Sequence, residues 1–453
     1  MEAYILFPVI ILLLSSFIRM NIYKSFKASI YIGVGLIGFS MLFTFFLEFT
    51  GPLVETLAEI AGKEAVIIDV GWPVLASVIW SSGISYLILP VMIGMNILML
   101  KIGKTDTLNI DIWNYWHMAL VGVLVDHLSG NVLMTLLSMM MMAFLNLKLS
   151  DWSASIISHY YGLQGVAASN MNSLVFIPYA IFGNWIMERL PLVKSIGRKK
   201  DKEKQHTKLG VFFREPYAAT IPVGIVMPVV AGYPVSETIA FSFKLTAVFM
   251  ILPQIAGFIQ DGFRILAEGM NHYVKNKRKI NREIRIGVNH MILFRDPSLI
   301  SVSVFLIPIL LFMSFMFRSV PYFPLADLTN VIGVIVFVVA VSNGNMFRSI
   351  LLSIPVLLVS MKLSALMAPY YTEIARKNNF FQGESMDQLI TSSMNGGNPL
   401  SFLVLQLTGS DHSYWMIAFL LTVTMVIFGF GADRIRSKKR SVDSGYCRWK
   451  SGH

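Results

Sequence analysis

Charged residues are scarce in this chain, and cysteine is nearly absent. Only 14% of the 453 residues are Asp, Glu, Lys or Arg, whereas about 25% is usual in soluble domains. Hydrophobic residues make up 55%, and the mean hydropathy is +0.64. A soluble globule of this size needs more polar surface, so most of the chain is expected to lie in lipid. The same composition excludes extended disorder, coiled coils and disulfide scaffolds.

The sequence also lacks the motifs of several chemistries. Its single cysteine, Cys447, stands in a hydrophilic tail, so neither an intrachain disulfide nor a thiol metal cluster is possible. There is no G-x-x-x-x-G-K-[ST] motif, no Cys or His pair with metal spacing and no haem attachment motif. We therefore expect no cofactor, no metal and no P-loop ATPase. A membrane-bound enzyme is the least favoured class, because no nucleophile–base spacing is present.

Apolar runs recur along the whole chain. A membrane-spanning helix needs about 20 apolar residues, and several runs are shorter, which indicates tilted helices or segments that enter the membrane and return. We predict an all-α, polytopic membrane protein with a single domain, residues 1–453, and about eleven transmembrane helices. The eleven runs are Tyr4–Ile18, Ser29–Phe49, Val74–Leu100, Val132–Leu147, Ser173–Met187, Ala218–Val230, Thr238–Phe258, Leu299–Phe317, Val331–Val341, Ile350–Met367 and Trp415–Phe430.

Basic residues are concentrated in the hydrophilic stretches between the runs, and the net charge is +11. Because cytoplasmic loops carry an excess of Lys and Arg, residues 189–214 and 265–296 are predicted to be basic cytoplasmic loops. Residues 433–453 are predicted to be a cytoplasmic tail, and the N-terminus to lie outside. Membrane topology thus explains the basic charge without nucleic acid. A docking surface for an acidic soluble partner is the alternative reading of these stretches.

An acidic residue, Asp69, stands in the stretch Ile68-Asp69-Val70-Gly71-Trp72-Pro73, where an apolar segment begins. Pro73 suits the first turn of a helix, and an anion just before a helix is favourable. Ionisable groups inside membrane segments are costly, so each is also a candidate site residue. Asp69 is therefore either a structural cap or a substrate ligand.

A second polar stretch, Asn109–Met118, contains the candidates Asp111, Asn114 and His117. On a helix, Asp111 and Asn114 fall on one face, and His117 lies three residues beyond Asn114. The pattern indicates a polar cluster beside a substrate path. The alternative is an aromatic belt at the membrane interface with a hydrogen-bonded histidine.

Two further stretches interrupt apolar segments with glycine and amide residues, one in each half of the chain. They are Tyr160–Asn170 and Met394–Phe402. Irregular backbone at membrane depth is tolerated only where it is buried or faces a water-filled cavity. Paired interruptions of this kind indicate a transporter binding site, and for Tyr160–Asn170 a close helix contact through small residues is the alternative. Their candidate binding residues are Gln164, Asn170, Asn395 and Asn398.

Five motifs, taken in order and spacing, resemble one family over nearly the whole chain. This family is the galactitol-type enzyme IIC of the bacterial phosphoenolpyruvate-dependent sugar phosphotransferase system, in the ascorbate–galactitol superfamily. The motifs are Asp69-Val70-Gly71-Trp72-Pro73, Asp111-Ile112-Trp113-Asn114-Tyr115-Trp116-His117-Met118, Glu215-Pro216, Gly344-Asn345-Met346-Phe347-Arg348 and Gly396-Gly397-Asn398-Pro399.

The resemblance implies an all-helical fold with about eleven transmembrane helices, two re-entrant hairpins and inverted repeats, assembled as a homodimer in the bacterial cell membrane. It also implies group translocation, in which this chain carries a sugar or polyol inward and a separate IIB subunit, charged by IIA, phosphorylates it. The chain would then be a transport subunit and not itself an enzyme.

Three positions depart from the family pattern. Asn170 stands where the family has a histidine, Val288-Asn289-His290 stands where it has Leu-Asp-Pro, and Met394-Asn395 replaces Asp-Gln. We therefore expect a sugar or polyol site that is not necessarily specific for galactitol. The predicted substrate-binding residues are Asp69, Asp111, Asn114, His117, Gln164, Asn170, Asn289, Asn395 and Asn398.

The alternative function is a proton-coupled secondary transporter of a small polar solute. Asp126, His127 and Asp296 would be its candidate proton carriers. The two functions differ in their energy source, because group translocation requires no ion gradient.

Overall fold

The computed structural model describes residues 3–60, 62, 66–190, 215–277, 282–317, 319–380 and 388–408. The fold is mostly helical, as predicted. The helices are α1 (Ala3–Phe17), α2 (Ile22–Ile60), α3 (Gly71–Ser81), α4 (Ile88–Lys101), α5 (Trp116–Ser129), α6 (Val132–Ile156), α7 (Met171–Leu174), α8 (Ile177–Met187), α9 (Pro216–Val230), α10 (Val235–Lys277), α11 (Pro297–Met316), α12 (Val331–Val341), α13 (Met346–Lys377) and α14 (Pro399–Thr408). The strands are β1 (Ile67–Asp69), β2 (Thr107–Asn109), β3 (Val166–Ala168), β4 (Arg285–Val288) and β5 (Leu389–Thr391).

Among the residues that the structure describes, six helical stretches are long and apolar enough to cross a membrane. They are Ile22–Ile60, Gly83–Lys101, Val132–Tyr161, Val235–Asn276, Pro297–Met316 and Met346–Lys377. Five shorter apolar helices accompany them, at Phe7–Phe17, Met171–Met187, Pro216–Val230, Leu328–Val341 and Pro399–Thr408. The predicted apolar run Trp415–Phe430 and the predicted tail at 433–453 lie outside the described residues.

The two longest helices, α2 and α10, pack along each other, with α1 against α2 and α9 against α10. Glycines permit the close approach. A Cβ atom on Gly35 would lie 2.3 Å from Cγ1 of Ile259, and one on Gly262 would lie 2.6 Å from Cγ1 of Ile32. In lipid, small residues at such contacts let two helix backbones pack closely. These four helices therefore form one tightly packed group.

Two other helices, α5 and α12, lie at the centre of the remaining structure. Residues Trp116–Val125 of α5 and Val331–Ala340 of α12 are all buried. A helix that is apolar on every side is surrounded by protein or lipid. Here the protein surrounds it, because α5 packs against α6 and α14, and α12 packs against α11 and α13. The N-terminal ends of α5 and α12 adjoin the polar site described below.

Two small parallel sheets join segments that are far apart in the sequence. β1 pairs with β5, with Ile67 beside Leu389. β4 lies between β2 and β3, with Ile286 beside both Leu108 and Val166. The sheets satisfy backbone hydrogen-bonding groups where helices are interrupted. An all-helical prediction omits these strands, because three or four residues are too few to show a period-two pattern.

The predicted basic loop at 265–296 contains the C-terminal part of α10, the strand β4 and a 3₁₀ turn at His290–Leu293. The other predicted basic loop, at 189–214, lies mostly outside the described residues. The side of the membrane that each faces stays a prediction.

Candidate substrate site

Two turns with the same sequence spacing precede the buried helices α5 and α12. In the first, Asn114 Nδ2 donates a hydrogen bond to Asp111 Oδ2 at 2.5 Å, and Ser169 Oγ donates to the same oxygen at 2.7 Å. In the second, Asn330 Nδ2 donates to Asp327 Oδ1 at 2.7 Å. Because a carboxylate only accepts, each aspartate turns the amide nitrogen of its asparagine towards itself. The carbonyl oxygen of each asparagine is left for other partners.

The Asp327 carboxylate receives four hydrogen bonds and joins three segments of the chain. Oδ1 accepts from the Trp72 backbone N–H at 3.1 Å and from Asn330 Nδ2. Oδ2 accepts from the hydroxyl of Ser392 and from the Met394 backbone N–H, the latter at 3.1 Å. Asp327 is fully buried. It therefore acts as a clamp between the start of α3, its own turn and the segment that follows β5.

Asp69 is a second buried clamp at the same place. Its Oδ1 accepts from the backbone N–H groups of Gly71 at 3.3 Å and Ser393 at 3.0 Å. Its Oδ2 accepts from Ser393 Oγ at 3.0 Å and from the Asp327 backbone N–H at 3.2 Å. Burial of a carboxylate is costly unless hydrogen bonds stabilise it, and these four bonds do so. Asp69 and Asp327, the two buried carboxylates that join these segments, are called the framework of the site.

The two interrupted segments meet through asparagine side chains. Asn398 Nδ2 donates to Asn172 Oδ1 at 2.7 Å, and Asn172 Nδ2 donates to Asn395 Oδ1 at 2.8 Å. Asn170 Nδ2 donates to Asn114 Oδ1 at 3.1 Å and lies 3.3 Å from His117 Nε2. Segments more than 200 residues apart in sequence therefore share one polar network.

A narrow cavity, named here the asparagine cavity, lies within this network and has a volume of about 20 Å³ in this conformation. Six of its thirteen lining residues are asparagines, two are histidines and two are tryptophans. None of the thirteen is Asp, Glu, Lys or Arg, so the wall offers neutral donors and acceptors. The lining residues are Trp72, Asn114, Trp116, His117, Asn170, Asn172, Asn289, His290, Met291, Asn330, Gly333, Val334 and Asn395.

Two polar atoms on this wall have no hydrogen-bond partner within the described part of the chain. They are His117 Nδ1 and Asn395 Nδ2, and both are buried. A buried polar group without a partner costs about 1–3 kcal/mol, so native proteins rarely retain one without a reason. Both residues border the asparagine cavity, and a hydroxyl group is the kind of partner that each atom lacks.

The structure separates the nine predicted binding residues into groups. Asn114, His117, Asn170, Asn289 and Asn395 border the asparagine cavity. Asp111 and Asn398 form hydrogen bonds to the lining asparagines Asn114 and Asn172, and Asp69 belongs to the framework. Gln164 lies elsewhere, on the wall of another cavity. Of the glycines that mark the two interruptions, Gly165 also lines that other cavity, and Gly397 packs against the backbone of Ser360.

This other cavity, named here the charged cavity, has a volume of about 650 Å³ and lies between α10 and the segment before β3. Beside Gln164, its wall carries Arg264, Lys275 and Arg282 together with two glutamates. A single turn divides the two cavities, because Met291 borders the asparagine cavity and the next residue borders the charged one.

Three lining residues with amide or imidazole side chains were absent from the predicted set, namely Asn172, His290 and Asn330. The spacing Asp-x-x-Asn occurs at Asp106, Asp111 and Asp327, and its recurrence in the second half of the chain was a usable signal for Asn330. Asn172 lies two residues after the predicted Asn170, and His290 directly follows the predicted Asn289, so closeness to predicted residues was the available signal for both.

The candidate proton carriers lie outside the wall of the asparagine cavity. His127 Nε2 is 2.9 Å from Glu373 Oε2, and that glutamate is 59% exposed. Asp296 caps α11 by accepting from the Leu299 backbone N–H at 2.8 Å. Within the described ranges, no group of three or more His, Cys, Asp or Glu side chains could hold a metal ion.

Comparisons with known proteins agree with the motif resemblance. Residues 1–384 match the family described as "PTS system sugar-specific permease component". The chain is 26% identical over 402 residues to the galactitol-specific EIIC component of the PTS system of Escherichia coli strain K12, covering 89% of this chain and 88% of that protein. The same component of Escherichia coli O157:H7 gives the same values. A putative permease IIC component of strain K12 is 25% identical over 422 residues, covering 93% and 95%.

The chain therefore belongs to the family of sugar-specific permease components of the phosphotransferase system. The prediction of a galactitol-type IIC permease is confirmed. The chain is a transport subunit for a sugar or polyol and a multi-pass membrane protein, and IIB and IIA partners follow from its family in general. The proton-coupled alternative is not favoured.

Proposed function

We propose that this permease carries galactitol or a related polyol or sugar inward through the asparagine cavity, for phosphorylation by a separate IIB subunit. The observation that carries the proposal is the wall of that cavity, in which six asparagines and two histidines face one another without a charged side chain. Amides and neutral imidazoles both donate and accept hydrogen bonds, as hydroxyl groups do. The faces of Trp72 and Trp116 add apolar surface for the carbon chain.

The proposed substrate contacts are Asn114, His117, Asn170, Asn289 and Asn395, with Asn172, His290 and Asn330 added from the structure. Asp111 and Asn398 would act on the substrate through the asparagines that they hold. Asp69 would keep the two segments of the framework together, and Gln164 would meet the solute in the charged cavity.

Transport would proceed by alternating access, and phosphorylation on the cytoplasmic side would add charge to the product. A charged product cannot return through a site that offers only neutral groups, since unpaired charge in a buried site is costly. No coupling ion is needed. An outside N-terminus and a cytoplasmic C-terminus remain part of the proposal, based on the basic stretches of the sequence.

We also propose about eleven membrane crossings with inverted repeats and two re-entrant hairpins. Helices of 15 and 39 residues, α1 and α2, begin the first half, and helices of 15 and 43 residues, α9 and α10, begin the second. Gly130-Asn131 before α6 recurs as Gly344-Asn345 before α13, and both asparagines cap their helices. These matches support the repeats. The homodimer rests on the family resemblance alone.

The test is group translocation in membrane vesicles that contain this chain, supplied with IIB, IIA, the general phosphocarrier protein and phosphoenolpyruvate. A panel of labelled hexitols and hexoses is offered, and the phosphorylated product inside is measured. We expect one polyol or sugar to accumulate as its phosphate, and accumulation to continue after an ionophore collapses the proton gradient. Accumulation of unmodified solute that stops with the gradient would contradict the proposal.

A pair of variants locates the site. Asn395→Ala removes a lining amide, and Asn276→Ala removes an exposed amide near the end of α10. We expect the first to lower the apparent affinity for the accumulated solute and the second to leave it unchanged. Equal uptake kinetics of the two variants would exclude the asparagine cavity as the binding site.

A further inference from the structure

Two series of hydrogen bonds between side chains, named here relays, end at the wall of the asparagine cavity. Each relay starts from an asparagine whose Oδ1 also accepts from the backbone. An amide has a donor end and an acceptor end, so the orientation of the first amide determines the orientation of every amide after it. The orientation of each relay therefore determines whether its last side chain presents a donor or an acceptor to the cavity.

The first relay starts at Asn398, at the beginning of α14. Its Oδ1 accepts from the backbone N–H groups of Leu400 at 2.9 Å and Ser401 at 3.4 Å. This helix cap directs Nδ2 away from the helix, where it donates to Asn172 Oδ1 at 2.7 Å. Asn172 must then use Nδ2 towards Asn395 Oδ1, at 2.8 Å. The relay therefore ends on Asn395 Nδ2, the donor that has no partner.

The second relay starts at Asn170, before α7. Its Oδ1 accepts from the Asn172 backbone N–H at 3.0 Å, so its Nδ2 points to the opposite side. There it donates to Asn114 Oδ1 and lies 3.3 Å from His117 Nε2. An amide nitrogen only donates, so Nε2 is the acceptor. A neutral imidazole that accepts at one nitrogen carries its proton on the other, which places an N–H at His117 Nδ1.

Both relays thus end in a buried N–H group that has no partner among the described residues, and the exposed fraction is 2% for His117 and 8% for Asn395. We propose that Asn170 and Asn398 are positioning residues that fix this polarity, so that His117 and Asn395 donate to the hydroxyl oxygens of a neutral polyol. The nature of the ligand rests on the function proposed above. The direction of the relays does not.

The direction is tested first, without any substrate. Purified full-length protein labelled with ¹⁵N-histidine is placed in lipid bilayers, and solid-state NMR reports which nitrogen of each ring carries a proton. The signal of His117 is identified by its loss in His117→Gln. We expect Nδ1 protonated and Nε2 unprotonated. A proton on Nε2 in the unmodified protein would overturn the relay.

A variant of the starting residue gives an independent check. Asn170→Asp retains an oxygen that can accept from the backbone, but it places a second acceptor beside His117 Nε2. We expect Nε2 to become protonated. An unchanged ring in a correctly folded variant would overturn the positioning role. Asn345→Asp serves as the matched control, because Asn345 also caps a helix, by accepting from the Arg348 N–H at 3.0 Å, but lies outside the lining residues.

The ligand is tested with Asn398→Asp and galactitol as the first probe, in the phosphorylating vesicles described above. The new carboxylate keeps the helix cap but cannot donate to Asn172, so Asn395 turns its carbonyl oxygen to the cavity. Loss of one donor contact predicts a KM at least about fivefold higher, with a smaller effect on kcat. An unchanged KM would overturn the donor role of Asn395.

Failure of the proposed function can be distinguished from failure of the positioning role of Asn170. If no polyol is phosphorylated by the unmodified protein, the proposed function fails and the assignment of a polyol ligand fails with it. The NMR result still decides whether Asn170 directs the ring of His117, because it requires neither substrate nor partner subunits.

Discussion

The two Asp-x-x-Asn turns have the same spacing, yet the same substitution should affect them very differently. Asp327→Asn replaces one carboxylate oxygen with an amide nitrogen at a position surrounded entirely by donors. Whichever way the new amide turns, its nitrogen faces either the Trp72 backbone N–H or the Met394 backbone N–H. Asp111→Asn has no such conflict. Only Oδ2 of Asp111 accepts, and Oδ1 meets no donor within the described residues.

The magnitudes follow from these contacts. Hydrogen bonds to a charged group contribute about 1.5–3 kcal/mol each, and a buried donor left unpaired costs about 1–3 kcal/mol. Asp327→Asn loses two such bonds and leaves a backbone N–H unpaired, while removal of one charge beside Asp69 offsets part of the loss. We expect a net destabilisation of about 3–5 kcal/mol. Asp111→Asn weakens two bonds without breaking either, at about 1–2 kcal/mol.

The assay is thermal unfolding of the purified protein in detergent, followed by tryptophan fluorescence. Asp261→Asn is the control, because Asp261 is exposed, pairs with Arg264 at 3.2 Å and should contribute less than about 1 kcal/mol. We expect the unfolding temperature to decrease most for Asp327→Asn, less for Asp111→Asn and least for the control. Equal effects at Asp327 and Asp111, or a larger effect at Asp111, would refute the reasoning from unpaired donors.

Three further substitutions test other contacts. Gly397→Ala places a Cβ atom 1.7 Å from the Ser360 backbone oxygen, so we expect loss of folded protein on size-exclusion chromatography. Gly94→Ala is the control, because a Cβ atom there meets nothing within 4 Å, and it should yield folded protein in normal amounts. Asn330→Ala removes a lining amide, so we expect the KM for the transported solute to rise about five- to hundredfold in the vesicle assay; an unchanged KM would exclude this contact. Glu188→Gln breaks a 3.9 Å ion pair whose acidic side chain is 52% exposed, so we expect a change in unfolding free energy below about 1 kcal/mol, and a larger loss in thermal unfolding would contradict this.

The membrane character and the family could be predicted from the sequence because both depend on local signals. Long apolar runs identify spanning helices one by one, and the Asp-Val-Gly-Trp-Pro and Gly-Gly-Asn-Pro motifs are contiguous. The two interrupted segments could also be selected, since glycine and amide residues rarely break an apolar run without a reason. The structure brings Asn170 and Asn395, one from each segment, to the same cavity.

Features that depend on distant partners could not be predicted. Asp69 has the sequence context of a helix cap or a ligand, and only the positions of Ser393 and the Asp327 backbone make it a clamp. Asn172 contacts its partner across 223 residues of sequence. The parallel pairing of β1 with β5 is equally remote, and strands of three residues leave no periodic signal. Gln164 belongs to the same sequence segment as Asn170 but lines the charged cavity.

The repeated turn serves two different purposes in the two halves of the chain. Four donors contact the Asp327 carboxylate, two on each oxygen. Asn330 is therefore held by a carboxylate whose two oxygens both accept other hydrogen bonds. Around Asp111, one oxygen accepts both hydrogen bonds, and Asn114 Oδ1 accepts a further one from Asn170 Nδ2. Since a side chain with fewer partners is easier to reorient, adaptation to different solutes should occur on the side of Asp111 and His117. The positions predicted to depart from the family pattern, Asn170 and Asn395, lie among the neutral groups of the wall, while the clamp at Asp327 uses a charge. A site that keeps its charges in the framework and neutral amides on the wall can change its substrate without changing its fold.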